Sequence, residues 1–212
     1  MNLSEKVQCG FVLLLQFTLV IATILLSIQQ NWTGVFFSAI TLILTLLPHA
    51  LEYKYKIDFP VEFEFLAVLF IYASVFLGEV GGFYARFWWW DSVLHIGSGV
   101  TLGFVGFLIL YALYSAGKLD ARPSLVVFFA FTFALALGAL WEVFEFIMDQ
   151  TLGTSMQKNG LRDTMWDLIV DAGGALFTSL VGYFYLSKWK QNEGMFAYLV
   201  QGFLKKNPDL RK

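Results

Sequence analysis

The stretch GLRDTMWDLIVDAGGALF, Gly160 to Phe177, sets three aspartates four residues apart at the head of an apolar run long enough to cross a membrane. At about 100° per residue, Asp163, Asp167 and Asp171 occupy a sector of one helix face about 80° wide. A central Asp costs about 2.5 to 3.5 kcal/mol on the insertion scale, whereas each Leu, Ile, Val or Phe returns about 0.3 to 0.6. Nine such apolar residues lie between Leu168 and Leu186. Two deep aspartates would cancel most of that preference for lipid, so the helix needs partners that face its carboxylates.

The rest of the chain agrees with a membrane setting. Of its 212 residues, 58% are hydrophobic, 18% aromatic and only 14% charged, with a mean hydropathy of +0.67, far outside the soluble globular range. A spanning helix needs about 20 mostly apolar residues. Six segments qualify, over residues 8–28, 33–51, 60–79, 89–114, 123–149 and 163–187. The expected fold is all-α, a polytopic membrane protein built as a bundle of about six transmembrane helices. Residues 1–187 form its six-helix transmembrane domain, and 188–212 a basic amphipathic cytoplasmic tail. The weakly alternating strands of a membrane β-barrel are not seen.

Cys9 is the one cysteine, which excludes an internal disulfide or a cysteine-rich metal site within one chain. The first apolar stretch is long for a signal-peptide core and has no small-residue cleavage site before Gln29, so it reads as a retained helix. The formal net charge is -2, and no nucleic-acid partner is expected. Six spans put both termini on one side, with Lys6, Lys54, Lys56, Lys118, Arg122, Lys188 and Lys190, against Arg86, Lys158 and Arg162 on the other. The positive-inside rule then makes both termini of this multi-pass protein cytoplasmic. Trp88, Trp89 and Trp90 read as an interfacial aromatic belt. The tail alternates Met195, Phe196, Leu199, Val200, Phe203 and Leu204 with lysines and is expected on the cytoplasmic membrane surface.

With helix directions alternating, three polar groups converge on the extracytoplasmic half. Span four opens with Asp91 and His95, span five closes with Glu142, Glu145 and Asp149, and span six opens with Arg162, Asp163, Asp167 and Asp171. Each set falls on one face, within about 40°, 60° and 80° respectively. With a rise of ~1.5 Å per residue, Asp171 lies about 12 Å deeper than Asp163 and Glu142 about 10 Å deeper than Asp149. Gly99, Gly103 and Gly106, and Gly174, Thr178 and Gly182, continue two of these faces with small residues that let helices approach closely.

These carboxylates face one histidine and two arginines, Arg86 and Arg162. Like charges at close range disfavour full ionisation, so protons or a bound cation must balance them. Oxygen-rich ligands with one imidazole suit Mg²⁺, Mn²⁺, Ca²⁺ or Zn²⁺. Asp91, His95, Asp167 and Asp171 are the candidate metal ligands, Glu142 and Glu145 the candidate catalytic bases, and Asp163, Arg86 and Arg162 the supporting charges. The blander account makes Asp91 and Asp163 helix N-caps, Asp149 an exposed helix end, and the remainder a structural network of protonated carboxyls and salt bridges. His49 and Glu52, three apart in span two, read as an interfacial pair. Two histidines exclude a three-histidine zinc hydrolase, and Ile96 breaks the glycine-serine pattern of an intramembrane protease loop.

DSVLH from Asp91, WEVFE from Trp141 and DTMWDLIVDAGGA from Asp163 resemble the bacterial inner-membrane family typified by YjdF, over about half the chain, and more distantly the VanZ-like proteins. The resemblance implies an inner-membrane helical protein with a polar core; it supplies no reaction. Three function classes follow from the residues. In the first, the site binds a divalent cation and acts on, or carries, a polar or lipid-linked substrate. In the second, the carboxylates relay protons or cations in a transporter, which predicts flux driven by a pH gradient. In the third, the protein is a non-catalytic scaffold.

Overall fold

Long apolar runs separated by glycine, proline and asparagine turns give an all-helical chain. The computed structural model describes residues 3–158, 160–187 and 194–208. Nine α-helices and one π-helix occur among the described residues, and no strand. Six helical segments are long and apolar enough to cross a membrane: Glu5–Ile28, Trp32–Tyr55, Val61–Val80, Trp90–Ser115, Pro123–Thr151 and Leu161–Leu186. The expected spans lie within a few residues of these. The helices group into two compact units, Met1–Trp90 and Asp91–Lys212.

The first unit holds α1 (Leu3–Ile28), α2 (Trp32–Thr45), α3 (Leu47–Tyr55), α4 (Val61–Ile71) and the short α5 (Phe83–Arg86). Asn31 starts α2 by accepting the Gly34 amide at 3.0 Å, the ordinary remedy for an orphan N–H at a helix start. Pro48, in the first turn of α3, breaks the second span at Leu46. The third span changes pitch, with α4 running into a π-helix over Tyr72–Val80. Polar side chains tie these helices together: Thr23 donates to Ser38 at 3.0 Å, Gln16 to Thr45 at 3.4 Å, and the Thr18 and Tyr72 hydroxyls lie 3.1 Å apart. Such bonds contribute where apolar burial does not, since lipid is as apolar as leucine.

The second unit comprises most of α6 (Trp90–Ser115), α7 (Pro123–Leu152), α8 (Leu161–Leu186) and α9 (Met195–Lys206). Helices α6 and α8 touch backbone to backbone. A Cβ on Gly99 would meet the Asp171 carbonyl, one on Gly174 the Ile96 carbonyl and, at 3.0 Å, the Val100 nitrogen, and one on Gly103 the Thr178 Cβ at 3.2 Å. Thr178 completes the seam by donating its hydroxyl to the Val100 carbonyl at 3.0 Å. Gly106 gives Phe133 and Ala130 of α7 the same access to α6.

Helix α9 buries Ala197, Val200, Phe203 and Leu204 within the protein. Phe196 meets Phe104, Phe107 and Tyr185 in ring contacts with centroids 4.9, 5.0 and 5.6 Å apart. The apolar face read as a lipid-surface stripe is thus spent largely on α6 and α8, while Met195 and Tyr198 stay exposed. Lys188 and Lys190 lie outside the described residues. The many exposed aromatic and aliphatic side chains of the long helices, among them Phe17, Phe128, Phe146 and Phe177, form a surface suited to lipid.

Neighbouring glycines of α8 give a direct test of the seam. Gly173 has open space where a Cβ would sit and Gly174 has none. Gly173→Ala should raise the thermal midpoint in detergent, because Ala is about 1 kcal/mol better than Gly in a helix interior. Gly174→Ala should lower it, by an overpacking cost of about 1 to 3 kcal/mol. Equal melting of the two variants would contradict the contact.

Candidate functional site

The site belongs wholly to the second unit and gathers at one end of it, where α6 and α8 begin and α7 ends. Helical period puts Asp91 and His95 on one face of α6, Glu142 and Glu145 on one face of α7, and Asp163, Asp167 and Asp171 on one face of α8. Five of these are buried against one another: Asp171 is 1% exposed, Asp167 3%, Glu142 4%, His95 7% and Glu145 8%. Asp91 and Asp163 are half-buried at the rim.

His95 stands in the middle. Its Nδ1 lies 3.2 Å from Asp171 Oδ2, while its Nε2 lies 3.8 Å from both Asp91 Oδ1 and Glu142 Oε1. The other oxygen of Asp171 accepts the Ser98 hydroxyl at 2.9 Å. Gly138 of α7 makes room for this carboxylate, since a Cβ there would strike Asp171 Oδ2. Asp171 is therefore fixed from two helices and admitted by a third. Glu145 accepts the Trp141 indole N–H at 2.9 Å, one turn away on its own helix.

Glu142 and Asp167 differ from their neighbours. Both oxygens of Glu142 are buried and close no hydrogen bond, the Thr164 hydroxyl being a neighbouring donor that does not complete one, and Asp167 accepts no hydrogen bond among the described residues. His95, Glu142 and Asp167 each offer a ligand atom, and these atoms lie within 4.8 Å of one another; the same is true of Asp91, Asp163 and Asp167. Either group could hold a metal ion, with Asp167 common to both.

The connection after α7 closes over the rim. Asp149 gathers it by accepting the Thr154 hydroxyl at 2.6 Å, the Met156 amide at 2.8 Å and the Gln157 amide at 2.9 Å. Gln157 donates its side-chain amide to Thr164 at 2.7 Å, and the Lys158 amide donates to Asp163 Oδ2 at 3.0 Å. The Lys158 ammonium pairs with Asp91 Oδ2 at 3.0 Å. Asp149 is thus a loop anchor, and Gly160, not Asp163, stands at the N-cap of α8.

The counter-charges are not those the sequence singled out. Arg162 is exposed at the head of α8, with no ion pair among the described residues. Arg86 lies in α5 of the first unit. Lys158, Ser98 and Gly138 join the site in the folded chain, beyond the residues that the sequence pattern singles out. A signal existed for Ser98, three residues beyond His95 and so on nearly the same face, but none for Gly138 or Lys158. Elsewhere, His49 Nδ1 lies 3.6 Å from Glu52 Oε2, with the histidine ring largely exposed.

A family model described as a predicted membrane protein (DUF2238) matches residues 11–188, a segment that includes every residue of this site. The chain belongs to that family. An uncharacterized protein of Thermotoga maritima is 33% identical to this DUF2238 protein over 124 residues, which cover 54% of the chain and 60% of the relative. The match thus spans less than two thirds of that relative's length. No solved structure matches this DUF2238 protein.

The three bonds to Asp149 predict a local effect. Each contributes about 0.5 to 1.5 kcal/mol net. Asp149→Ala should speed amide exchange at Met156 and Gln157 by at least ~10-fold while the core of α8 keeps its protection. Unchanged exchange by mass spectrometry would show that the loop is held by other contacts.

Proposed function

We propose that this DUF2238 protein binds a divalent cation through His95 Nε2, Glu142 and Asp167, and uses it on a polar or lipid-linked substrate at the extracytoplasmic face of the bacterial inner membrane. The observation that carries this reading is the carboxylate of Glu142, which is 4% exposed and closes no hydrogen bond at either oxygen, the Thr164 hydroxyl approaching it without completing one. An isolated ionised carboxylate in apolar surroundings is costly enough that the group either neutralises or acquires a cation. A cation shared with His95 and Asp167 would supply the missing partner from three different helices at once.

The surroundings of His95 support a ligand role. In the tautomer whose Nδ1–H donates to Asp171, a bound cation would take the Nε2 position that faces Glu142 and Asp91. A carboxylate that fixes the tautomer and aim of a metal-binding imidazole is the usual companion of such a ligand. Asp171 then serves as a positioning residue, held by Ser98, and Glu142 as a ligand. Glu145, steered by the Trp141 indole, is left as the general base that would take a proton from attacking water. Relative to the sequence reading, Glu142 passes from candidate base to ligand and Asp171 from ligand to positioning residue.

The placement rests on the Lys and Arg distribution, which favours cytoplasmic termini and so an extracytoplasmic site. The YjdF-like resemblance, and the more distant VanZ-like one, are consistent with an inner-membrane location.

Elemental analysis of the detergent-purified protein tests the reading, with the wild type compared with Glu142→Gln combined with Asp167→Asn. The expected result is stoichiometric divalent metal in the wild type and at least ~10-fold less in the double variant, which should keep its helical content because both replacements remain close in shape. Metal-free wild type after incubation with Mg²⁺, Mn²⁺, Ca²⁺ and Zn²⁺ would overturn it.

A further inference from the structure

We infer that the site holds two cations rather than one, bridged by the Asp167 carboxylate, and that the pair is built to take a phosphoryl group. The inference rests on the cation-binding reading above. It starts from Asp167, which is common to two three-ligand groups, His95–Glu142–Asp167 and Asp91–Asp163–Asp167, each with ligand atoms within 4.8 Å of one another. Asp167 is 3% exposed and accepts no hydrogen bond among the described residues, so no donor competes with an ion for its carboxylate. A carboxylate shared in this way is how proteins hold two metals about 3.5 to 4 Å apart.

The two positions differ in chemistry. The inner one offers one imidazole and two buried carboxylates. The outer one offers oxygens alone, from two half-buried residues and Asp167. An all-oxygen set suits a hard cation such as Mg²⁺ or Mn²⁺, which keeps part of its water shell at the open side. Charge points the same way. Asp91, Asp163, Asp167, Asp171, Glu142 and Glu145 crowd around a single imidazole, and the Lys158 ammonium pairs with Asp91 at the rim. With all six carboxyls ionised, one divalent ion would leave this cluster strongly anionic, whereas two would bring it close to neutrality.

The ligand class follows from what lies at the rim. Two adjacent dications with open coordination positions bind an oxyanion that bridges them, and phosphoryl oxygens do so best. Lys158 lies 3.0 Å from Asp91 Oδ2 at the same rim, where its ammonium can pass from that carboxylate to an incoming phosphate. Carboxylate ligands and dications together favour a phosphate ester or diphosphate over an uncharged sugar or lipid.

Mn²⁺ titration of the full chain in detergent, read by electron paramagnetic resonance, tests this. The wild type should take up two equivalents and show the exchange-coupled spectrum of a close Mn²⁺ pair. Asp163→Asn and, independently on another helix, Asp91→Asn should each retain one uncoupled equivalent. Inorganic phosphate added to the loaded wild type should alter the coupled spectrum, and should have at least ~10-fold less effect on Lys158→Met. A single uncoupled equivalent in the wild type would overturn the two-cation inference and leave the cation reading standing. No bound Mn²⁺, Mg²⁺, Ca²⁺ or Zn²⁺ would overturn both, and a coupled pair indifferent to phosphate would overturn the assigned ligand class.

Discussion

Asp171 is the side chain on which the second unit is organised. At 1% exposure it cannot rely on water, so its two oxygens are answered from α6, by the His95 ring and the Ser98 hydroxyl, and its volume is accommodated by Gly138 of α7. None of these contacts forms unless α6 and α8 touch at Gly99 and Gly174. The backbone seam and the buried carboxylate are two aspects of one arrangement. A larger residue at the seam would separate Asp171 from its donors, and an unsatisfied carboxylate would in turn weaken the seam.

The two units illustrate different solutions to helix association where lipid supplies no hydrophobic contrast. In the first, hydroxyl pairs such as Thr23 with Ser38 and Thr18 with Tyr72 join helices through neutral hydrogen bonds that leave no charge to balance. In the second, glycine contacts bring backbones together at the middle, and charged side chains accumulate where α6 and α8 start and α7 ends. The second leaves the buried Glu142 carboxylate without a closed hydrogen bond.

The rim adds a different kind of order. Asp149 spends both oxygens on the connection between α7 and α8, which brings Lys158 to Asp91 and the Lys158 amide to Asp163. An acidic residue at a helix end therefore shapes access to the cluster without joining it. Reading every carboxylate near the site as a ligand would have missed that division of labour.

Much of this was open to inspection in the sequence, and for a simple reason: hydropathy and the 3.6-residue period are local properties. They determined the six apolar helices, the faces carrying Asp91 and His95, Glu142 and Glu145, and Asp163, Asp167 and Asp171, and the small residues beneath them. What spacing alone could not decide is which atoms meet. That Asp171 turns to His95 Nδ1 and Ser98, that Gly138 on another helix admits it, that Lys158 rather than Arg162 answers Asp91, and that α9 folds its apolar face onto Phe104 and Tyr185 all depend on the axial offset and rotation of one helix against another. Those quantities are set by side-chain packing between segments as many as 92 residues apart in the chain, as Phe104 and Phe196 are, and no period within one helix encodes them.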